Sequence, residues 1–564
     1  MEEDRRNFIV FFVVSMLIMV GYPYFLDKFF PSTTAEQRID QGAIYQNAAP
    51  QKNGSSQKSS PPARREEIKN IQIETENIQG IISSRGVRIS DIRLKKYKKK
   101  AGGEERVQIL SDGQRVFFAE TRWTSNDPLI ILPNQSSCWK ADSIVLSEDA
   151  PVTLTWDNGN GLLFEKQISI DRDFLITIVE KVRNIGPGMA SLSTEEVICR
   201  EQTSIENSSN FYNGPLGYVD NKLEEVKYED IAKRGEIVHH SIGGWFGITD
   251  EYWLTAFIPN QRSENQVIYS HSCRDGRDEY TIKNVSNTIE LKPGEAISKI
   301  HRLFVGAKEI NTLDRYEEQL AVKHFDLAID FGYLYMLTKP LLYLLAYTKG
   351  LVGNMGIGIL LITLLIKLLL FPLASKSYRS MNRMSAIQPK IQELQKKYAG
   401  DNVKLGQAVS DLYKKERINP VGGCLPLLLQ SPVLYALYKV LYISIEIRQE
   451  PFFGWIDDLS QADPLSILNL FEIIPINLPS FLQIGVCPVL MGLTMWLQQK
   501  MSPPPANPQQ ANMLWIMPVL FTVMFARLPA GLIIYWTFSN ILGILQQYVI
   551  KRRSKKERCL ENQR

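Results

Sequence analysis

The stretch "LLITLLIKLLLFPL", residues 360–373, is almost entirely apolar, and the one charged side chain within it is Lys367. Such a segment is typical of a membrane-spanning helix, where a lysine near the centre costs about 2.5–3.5 kcal/mol. Two interpretations of Lys367 are open. The ammonium group faces a bundle interior or a water-filled cavity, or its long stem carries the charge to the lipid headgroups.

The composition divides the chain into a polar part, residues 31–330, and an apolar part, residues 331–550. The length of 564 residues exceeds that of one typical domain. A net charge of +4 is too small to indicate a specific nucleic-acid site. The six cysteines form neither a CxxC pair nor a metal-ligand spacing, and one disulfide in the polar part stays open.

The apolar runs predict six membrane spans. The first follows Arg5 and Arg6 and lacks a clear cleavage site, so we expect an uncleaved signal anchor with a cytoplasmic N-terminus. A break at "ARLPAG" divides the last run into a short fifth helix and a sixth helix that begins near Pro529. The predicted spans lie at 8–26, 357–373, 425–445 and 481–497, with two more in 514–550.

The distribution of charge orients these spans. The loop 374–423 carries ten basic residues against four acids, whereas the loop 446–478 has one arginine against six acids. The positive-inside rule places the first loop and the basic C-terminal tail in the cytoplasm. A seventh span at 331–350 would reverse this pattern, so we predict an interfacial helix there, with its tyrosines and lysines at the headgroups.

The predicted fold is therefore a multi-domain one, an α-helical polytopic membrane bundle of six spans joined to a large all-β periplasmic sandwich. Short alternating runs and the turn signal "DNGNG" at 157–161 predict the antiparallel strands of that sandwich. The predicted domains are a signal anchor at 1–30, a disordered tether at 31–69, the β-sandwich at 70–325, the interfacial helix at 326–350, a five-span core at 351–550 with a cytoplasmic hairpin at 374–423, and a basic tail at 551–564.

No motif of an enzyme is found in the polar domain. His239 and His240 are adjacent, so on a strand they point to opposite faces, which is poor geometry for a catalytic or metal site. We expect neither catalysis nor a bound metal.

The cytoplasmic loop shows an apolar stripe with steps of three and four residues, which predicts one face of a helix. "AGD" at 399–401 predicts a turn into a second helix, and Pro389 predicts a kink in the first. The stripe either joins the two helices or forms an adaptable contact surface. Its members are Tyr378, Met381, Met384, Ile387, Ile391, Leu394 and Tyr398.

Several long motifs resemble the YidC/Oxa/Alb family of membrane protein insertases. They are "INPVGGCLPLLLQSPVLYALYKVL" (418–441), "EPFFGWIDDLSQADP" (450–464), "LQQKMSP" (497–503) and "LPAGLIIYWTFSNILGILQQ" (528–547). "GGWFGITDEYWLTAFIP" (243–259) and "HFDLAIDFGYLY" (324–335) resemble the periplasmic domain of the Gram-negative YidC type, which is similar to a sugar-binding super-sandwich.

The resemblance implies a protein without enzymatic activity or cofactor that helps nascent membrane proteins into the inner membrane, alone or with the Sec translocon. It implies a hydrated groove that opens to the cytoplasm and to lipid and is closed on the periplasmic side. It leaves open contacts with the ribosome and the signal recognition particle pathway. The sequence departs from the Gram-negative pattern at Lys367, where that pattern has arginine; lysine keeps the charge but lacks the bidentate fork.

The groove predicted on this basis combines Lys367 with polar and apolar groups of the other spans. Thr363 lies one turn before Lys367 on the same helical face. Ordinary interhelical hydrogen bonding is the alternative role for each polar group. The predicted groove residues are Lys367, Thr363, Gln430, Ser431, Pro432, Pro518, Thr522, Tyr535 and Trp536, with Ser539 as a further polar group and Leu428, Val519 and Phe521 as apolar surface.

Two other functions are open from the residues. A small-solute transporter predicts an internal repeat with broken helices at the midplane, and no two matching halves are found. A tethered periplasmic carbohydrate enzyme predicts catalytic groups in the β-domain, where no motif supports them.

Overall fold

The computed structural model describes residues 70–113, 116–202, 212–274, 276–398, 400–416, 425–467, 483–502 and 508–561. The predicted signal anchor and tether lie outside these residues, and so do the side chains of residues 554–564 in the basic tail. Residues 389–417 belong to a compact unit separate from 66–388 and 418–564.

The described part of the polar domain is a two-sheet β-structure. The strands are β1 (Ile71–Glu74), β2 (Ile78–Ile82), β3 (Ile89–Lys98), β4 (Arg106–Gln108), β5 (Ser111–Asp112), β6 (Val116–Thr124), β7 (Lys140–Ala141), β8 (Val145–Leu146), β9 (Val152–Asp157), β10 (Leu162–Ile170), β11 (Leu175–Asn184), β12 (Ala190–Gln202), β13 (Gly214–Val219), β14 (Lys222–Glu225), β15 (Glu236–Ile242), β16 (Trp245–Thr249), β17 (Trp253–Phe257), β18 (Glu264–Arg274), β19 (Arg277–Val285), β20 (Ile289–Leu291) and β21 (Ala296–Ala307).

One sheet has the order β15-β18-β19-β12-β6-β3-β2-β1-β8, with β20, β4 and β5 paired at its sides. The other has the order β14-β13-β16-β17-β21-β11-β10-β9-β7. All these pairs are antiparallel except β1 with β8. The predicted "DNGNG" turn joins β9 to β10, which pair antiparallel, and this prediction is confirmed.

Alternating burial explains how the two sheets form one core. Along β10 the even-numbered side chains from 162 to 170 are buried and the odd-numbered ones are partly or fully exposed. Phe164 on β10 lies 6.2 Å from Trp123 on β6, ring centroid to ring centroid, so the two sheets meet through these inward side chains. The predicted sandwich follows from a period of two with one apolar face per sheet.

Charged groups are also buried between the sheets. Lys166 Nζ lies 2.7 Å from Glu180 Oε1, and His301 Nδ1 lies 2.8 Å from Glu196 Oε1, with all four side chains buried. Burial by itself would lower the pKa of His301, but the hydrogen bond and charge of Glu196 raise that pKa overall. Removing one member of such a pair leaves an uncompensated buried charge, which typically costs about 3–5 kcal/mol.

The described helices comprise one short helix that lies within the β-domain, between β14 and β15, and others that follow β21. They are α1 (Tyr228–Arg234), α2 (Ile310–Leu320), α3 (Tyr335–Val352), α4 (Met355–Leu369), α5 (Phe371–Ala386), α6 (Gln388–Lys397), α7 (Asn402–Lys415), α8 (Leu425–Ile443), α9 (Val486–Met501), α10 (Pro508–Met524) and α11 (Ala530–Glu561), with a 3₁₀ turn at Phe325–Ala328.

These bounds agree with the predicted spans in part. The sixth predicted helix begins at Ala530, directly after Pro529. The helix in the fourth predicted span begins at Val486, whereas the sequence predicts a start at 481. The predicted interfacial helix begins at Tyr335.

Among the described residues, no single helix is both long and apolar enough to cross a membrane. The pair α3 and α4 meets that criterion together, by length and composition, although the two helices make an angle of 120°. Gly353 ends α3 in the left-handed region, with φ +71°, which glycine adopts without strain. The predicted count of six spans is therefore not confirmed.

A loop after α8, residues 446–467, lies against one end of the helices. Glu450 pairs with Lys349 at 2.6 Å, and the buried Leu459 lies within the same core as α4 and α11. Further hydrogen bonds join this loop to three helix N-termini: Asn354 Nδ2 to Phe452 O (3.3 Å), Ala530 N to Gln461 O (2.7 Å) and Cys487 N to Asp463 Oδ2 (2.7 Å). The loop thereby closes this end of α4, α9 and α11.

Ion pairs join the β-domain to the same end of the bundle. The buried Asp326 accepts hydrogen bonds from Tyr335 and Lys339 of α3, both at 2.6 Å. Asp330 pairs with Lys439 of α8, also at 2.6 Å. The β-domain is thus fixed to two helices rather than held by the chain connection alone.

The residues predicted to form the hairpin are helical and divide into three helices. α5 ends at Ala386 and α6 begins at Gln388. The helix is therefore interrupted at Ile387, two residues before Pro389, where the sequence predicts a kink. In the compact unit 389–417, α7 follows the turn predicted at 399–401. Asp401 caps α7 by accepting a hydrogen bond from the backbone N–H of Lys404. Lys390 of α6 pairs with Glu416, directly after α7, at 2.7 Å.

Candidate functional site

α4 has two different faces. Its outer face is exposed and apolar, with Leu361, Leu364 and Leu368 spaced by three and four residues. On the opposite face Thr363 is 2 % exposed, and its hydroxyl donates to the carbonyl of Ile359 at 2.6 Å. Lys367 lies one turn after Thr363, so helical periodicity places it on the inner side of α4.

This inner side borders an open cavity of about 490 Å³, a volume that includes the space continuous with solvent. The three helices α4, α8 and α11 contribute to its wall, together with the start of α5. The lining residues are Thr363, Ile366, Lys367, Leu370, Ala374, Tyr378, Gln430, Val433, Tyr535 and Gln546.

A chain of hydrogen bonds crosses the cavity wall through three helices. Lys367 Nζ donates to Gln430 Oε1 of α8 at 3.3 Å, and Gln430 Nε2 donates to Ser539 Oγ of α11 at 2.8 Å. Gln546 Nε2, also on α11, donates to the carbonyl of Lys367 at 3.3 Å. The ammonium group is thus directed toward a neighbouring helix.

The positive charge of Lys367 is not neutralised by an ion pair. Within the described ranges, no carboxylate oxygen lies within 4.0 Å of its Nζ, and the cavity lining contains no acidic residue. A cation in a partly apolar cavity without a fixed counter-charge attracts anionic groups and holds water.

Other predicted groove residues lie away from this cavity. Pro518 is buried in α10 and its carbonyl accepts a hydrogen bond from Thr522 at 2.8 Å. Trp536 of α11 packs on Phe521 and Phe525, with ring centroids 6.1 and 5.0 Å away. Trp536 therefore forms an aromatic contact beside the cavity, while other side chains of α11 belong to the lining.

The remaining predicted positions face outward or lie outside the description. Ser431 and Pro432 have exposed side chains, and Val519 is 66 % exposed. The side chain of Leu428 lies outside the described residues.

The hairpin residues predicted as a contact surface divide between two environments. Met381 is buried in a small cluster with Tyr378 and Ile550 of α11. Met384 is half-buried, and Ile387 is buried at the interruption between α5 and α6. Met381 therefore packs on the bundle and is not available as a surface.

Sequence reasoning missed two polar lining residues. Gln546 had a signal, because it is a polar side chain in the otherwise apolar run "GILQQYVI" at 543–550. Tyr378 had been assigned to the hairpin stripe, and only the packing of α5 shows that it reaches the cavity.

One group of side chains has the atom types of a metal site. Ligand atoms of Glu317, His324 and Asp326 lie within 4.8 Å of one another. Asp326, however, already accepts from Lys339 at 2.6 Å, so a cation would compete with an ammonium group. We assign no metal here. The described cysteines Cys138, Cys199, Cys273 and Cys487 are free thiols, so no disulfide joins them.

Comparison with known proteins covers both parts of the chain. Residues 347–557 match the family model "60Kd inner membrane protein", and residues 70–344 match "YidC periplasmic domain". The chain is 42% identical over 563 residues to the membrane protein insertase YidC of Rickettsia bellii, covering 98% of this chain and 100% of the relative. The chain belongs to the YidC family.

The YidC protein of Rickettsia massiliae is 41% identical over 564 residues, with the same coverage of both chains. The β-sandwich thus corresponds to the periplasmic domain of the YidC family, and the helices to its inner-membrane part. YidC proteins are insertases rather than enzymes, which agrees with the prediction of no enzymatic activity.

Solved structures give weaker similarity. A crystal structure of an active YidC insertase with its first transmembrane domain resolved has a TM-score of 0.36 and 17% identity, covering 85% of this chain and 93% of that one. A galactose mutarotase related enzyme from Lactobacillus acidophilus has a TM-score of 0.30 and 10% identity, covering 42% of this chain and 97% of that one. The family assignment rests on the sequence relatives.

Proposed function

We propose that the chain inserts nascent membrane proteins into the inner membrane, the activity for which its relatives are named. The observation that supports this most directly is Lys367, a cation without an ion-pair partner among the described residues, in a cavity between α4, α8 and α11. A solute transporter would be expected to show an internal repeat as well, and the sequence has no two matching halves.

The physical task of an insertase is to move a polar tail across hydrocarbon, where an unpaired charge is very costly. A hydrated cavity shortens the distance that the tail travels through low dielectric. Lys367 attracts an acidic tail transiently, and Gln430 holds its ammonium group toward the cavity. The exposed apolar face of α10 near Val519 is the surface on which the emerging apolar segment leaves toward lipid.

The proposed topology has both termini in the cytoplasm and the β-domain in the periplasm. α4, α8, α9, α10 and α11 span the membrane together with the N-terminal anchor, and α3 lies at the interface. Two observations support this arrangement. The loop 446–467 and the β-domain contact one end of the bundle, and Lys367, near the end of α4, contacts Gln546 in the middle of α11, away from the N-terminus of α11 that the loop binds.

The proposed partners are nascent membrane proteins and the lipid bilayer, with the Sec translocon, the ribosome and the signal recognition particle pathway as further candidates. No cofactor is proposed.

Reconstitution tests this function. The full-length protein in phospholipid vesicles should insert a purified single-span client with a short acidic tail, measured as protection of that tail from added protease. Vesicles without the protein are the control. Solute flux without insertion would instead support a transporter, and turnover of a sugar would support an enzyme; either result would refute the proposal.

A further inference from the structure

The end of β3, the turn after it and the first residue of β4 form one basic segment, which we call the basic turn. The basic turn, residues 95–106, reads "KKYKKKAGGEER" and carries six basic residues against two acids. Its central side chains Lys98, Lys99 and Lys100 are exposed.

Part of this charge is used within the protein. Lys95 pairs with Glu74, Lys96 pairs with Glu309 at 2.9 Å, and Lys99 pairs with Glu105. Lys98 and Lys100 have no ion pair within the part of the chain that the structure describes. The centre of the basic turn therefore presents uncompensated positive charge to solvent.

The turn lies where the β-domain contacts the helices. The carbonyls of Lys98 and Lys99 accept hydrogen bonds from the Arg448 guanidinium at 2.8 and 3.1 Å, and Gln449 Nε2 donates to the Lys98 carbonyl at 3.1 Å. The Arg448 guanidinium in turn lies 5.6 Å from the ring of Trp253. Arg448 thereby adds a further positive charge beside the turn.

The loop that carries Arg448 also marks the end of the bundle. Two residues further on, Glu450 pairs with Lys349 near the end of α3, and Asn354 at the start of α4 donates to the carbonyl of Phe452. The basic turn is therefore at the level where α3 ends and α4 begins.

α3 gives a second, independent indication of a membrane surface at this level. Met336, Tyr347 and Leu351 are 90, 65 and 66 % exposed. Their spacing of eleven and four residues places them on one side of the helix. An exposed apolar stripe on this helix fits a position at the boundary between acyl chains and charged headgroups.

We propose that the basic turn binds the phosphate groups of anionic phospholipid headgroups in the periplasmic leaflet. Juxtamembrane lysines are attracted to anionic lipid, and the attraction falls off within a Debye length. This inference rests on the proposed membrane placement of the helices, but it goes beyond the proposed insertion activity. An acidic client segment is a different partner for the same charge, and the test separates the two.

Photo-crosslinking of the full-length protein measures this contact. A photoreactive amino acid replaces the exposed Ala101 at the tip of the turn, and the protein is placed in vesicles that contain both phosphatidylglycerol and phosphatidylcholine. Illumination without a client should give lipid adducts that are enriched in phosphatidylglycerol, as read by mass spectrometry. High salt should reduce this enrichment, and free glycerol phosphate should not replace the lipid.

The triple variant K98Q/K99Q/K100Q should lower the phosphatidylglycerol enrichment at least about fivefold, roughly the factor that one lysine contributes near an anionic surface. It leaves the carbonyls that bind Arg448 in place. The matched control is K140Q/K181Q/K292Q, three exposed lysines elsewhere in the β-domain, which should leave the enrichment unchanged.

Equal crosslinking of both lipids, or an unchanged enrichment in K98Q/K99Q/K100Q, would overturn the proposal. Adducts formed with an added acidic client instead of lipid would overturn it in favour of a client site. Since insertion is not the readout, a negative result leaves the proposed function standing, and failed insertion leaves this inference testable.

Discussion

Lys367 is the residue on which the proposed mechanism depends most. Replacing it by leucine removes the cation but keeps an apolar side chain on α4. We expect insertion of a client with an acidic tail to fall about tenfold, which a barrier increase of about 1.4 kcal/mol produces. A client with a neutral tail should be affected much less, because no charge attraction is lost. Lys367→Arg should be tolerated, and Lys367→Glu should fail for the acidic tail.

Clients that differ only in tail charge measure this effect in reconstituted vesicles. Lys551→Leu removes an exposed lysine of α11 outside the cavity and is the matched control. Gln430→Glu should mimic Lys367→Leu, because it places a carboxylate beside the ammonium group. If Lys367→Leu inserts acidic and neutral tails equally well, the attraction has no role. A loss that is independent of tail charge would indicate hydration of the cavity instead.

Lys308, at the end of β21, is a buried lysine with no function in the proposed mechanism. It is 5 % exposed, and its Nζ donates to Thr249 Oγ1 at 3.0 Å. Burial disfavours the charged form and lowers the pKa of Lys308 from 10.5 to about 8, although Asp250 opposes this shift. A shift of this size corresponds to about 3 kcal/mol of destabilisation while the lysine is protonated in both states.

We predict that Lys308→Met stabilises the β-domain at pH 7 by about 1–3 kcal/mol. Between pH 8 and the ordinary lysine value the unfolded state binds more protons, so the wild-type protein gains stability as the pH rises. The advantage of the variant should therefore shrink over this range. Thermal unfolding in detergent, followed by circular dichroism, measures both proteins. A constant difference across the pH range would contradict the burial argument.

The helices α6 and α7, which the sequence predicts to form a hairpin, are the element for which we predict a role in client capture. Met381 belongs to a cluster with Tyr378 and Ile550, whereas 389–417 is a separate compact unit. We predict that replacing 388–415 by a short glycine-serine linker leaves the protein folded in the membrane. Client capture should fall several-fold, because the exposed basic surface of the hairpin is lost.

Crosslinking of a stalled client to the insertase and the amount of protein in membranes measure the two effects separately. Lys390→Ala is the control, since an exposed ion pair such as Lys390–Glu416 contributes about 1 kcal/mol or less. Wild-type capture by the shortened protein would show that the hairpin is only a connection.

Deletions within the β-domain measure what this domain contributes to insertion. All cavity residues lie beyond residue 360, so deletion of 70–308 should leave insertion within about tenfold of the full-length rate. A longer deletion, 70–330, also removes Asp314 and Asp326, which bind Lys339 of α3. We expect this second deletion to be more damaging, because α3 loses its anchoring ion pairs.

Insertion into vesicles, normalised to the amount of protein reconstituted, compares the two deletions. Complete loss of activity in the shorter deletion, with normal amounts of protein in the membrane, would contradict the prediction and assign the β-domain an essential role.

Local sequence patterns were enough to predict the strands of the sandwich, one of its turns and one face of α4. Alternation predicted the strands of the sandwich, and "DNGNG" predicted the turn between β9 and β10. The spacing of Thr363 and Lys367 predicted that both lie on one face of α4, and they line the same cavity. Such features depend on neighbours within a few residues, so the chain itself specifies them.

Tertiary structure alone decided which groups meet. Gln430 lies 63 residues from Lys367, and Ser539 a further 109 from Gln430, so no local period relates them. Trp536 was an equally plausible lining residue from sequence, but the rotation of α11 turns it to an aromatic contact with Phe521 of α10. Pro518 of α10 is likewise not among the lining residues. Periodicity gives the faces of one helix, whereas the helix that each face contacts is set by packing across long connections.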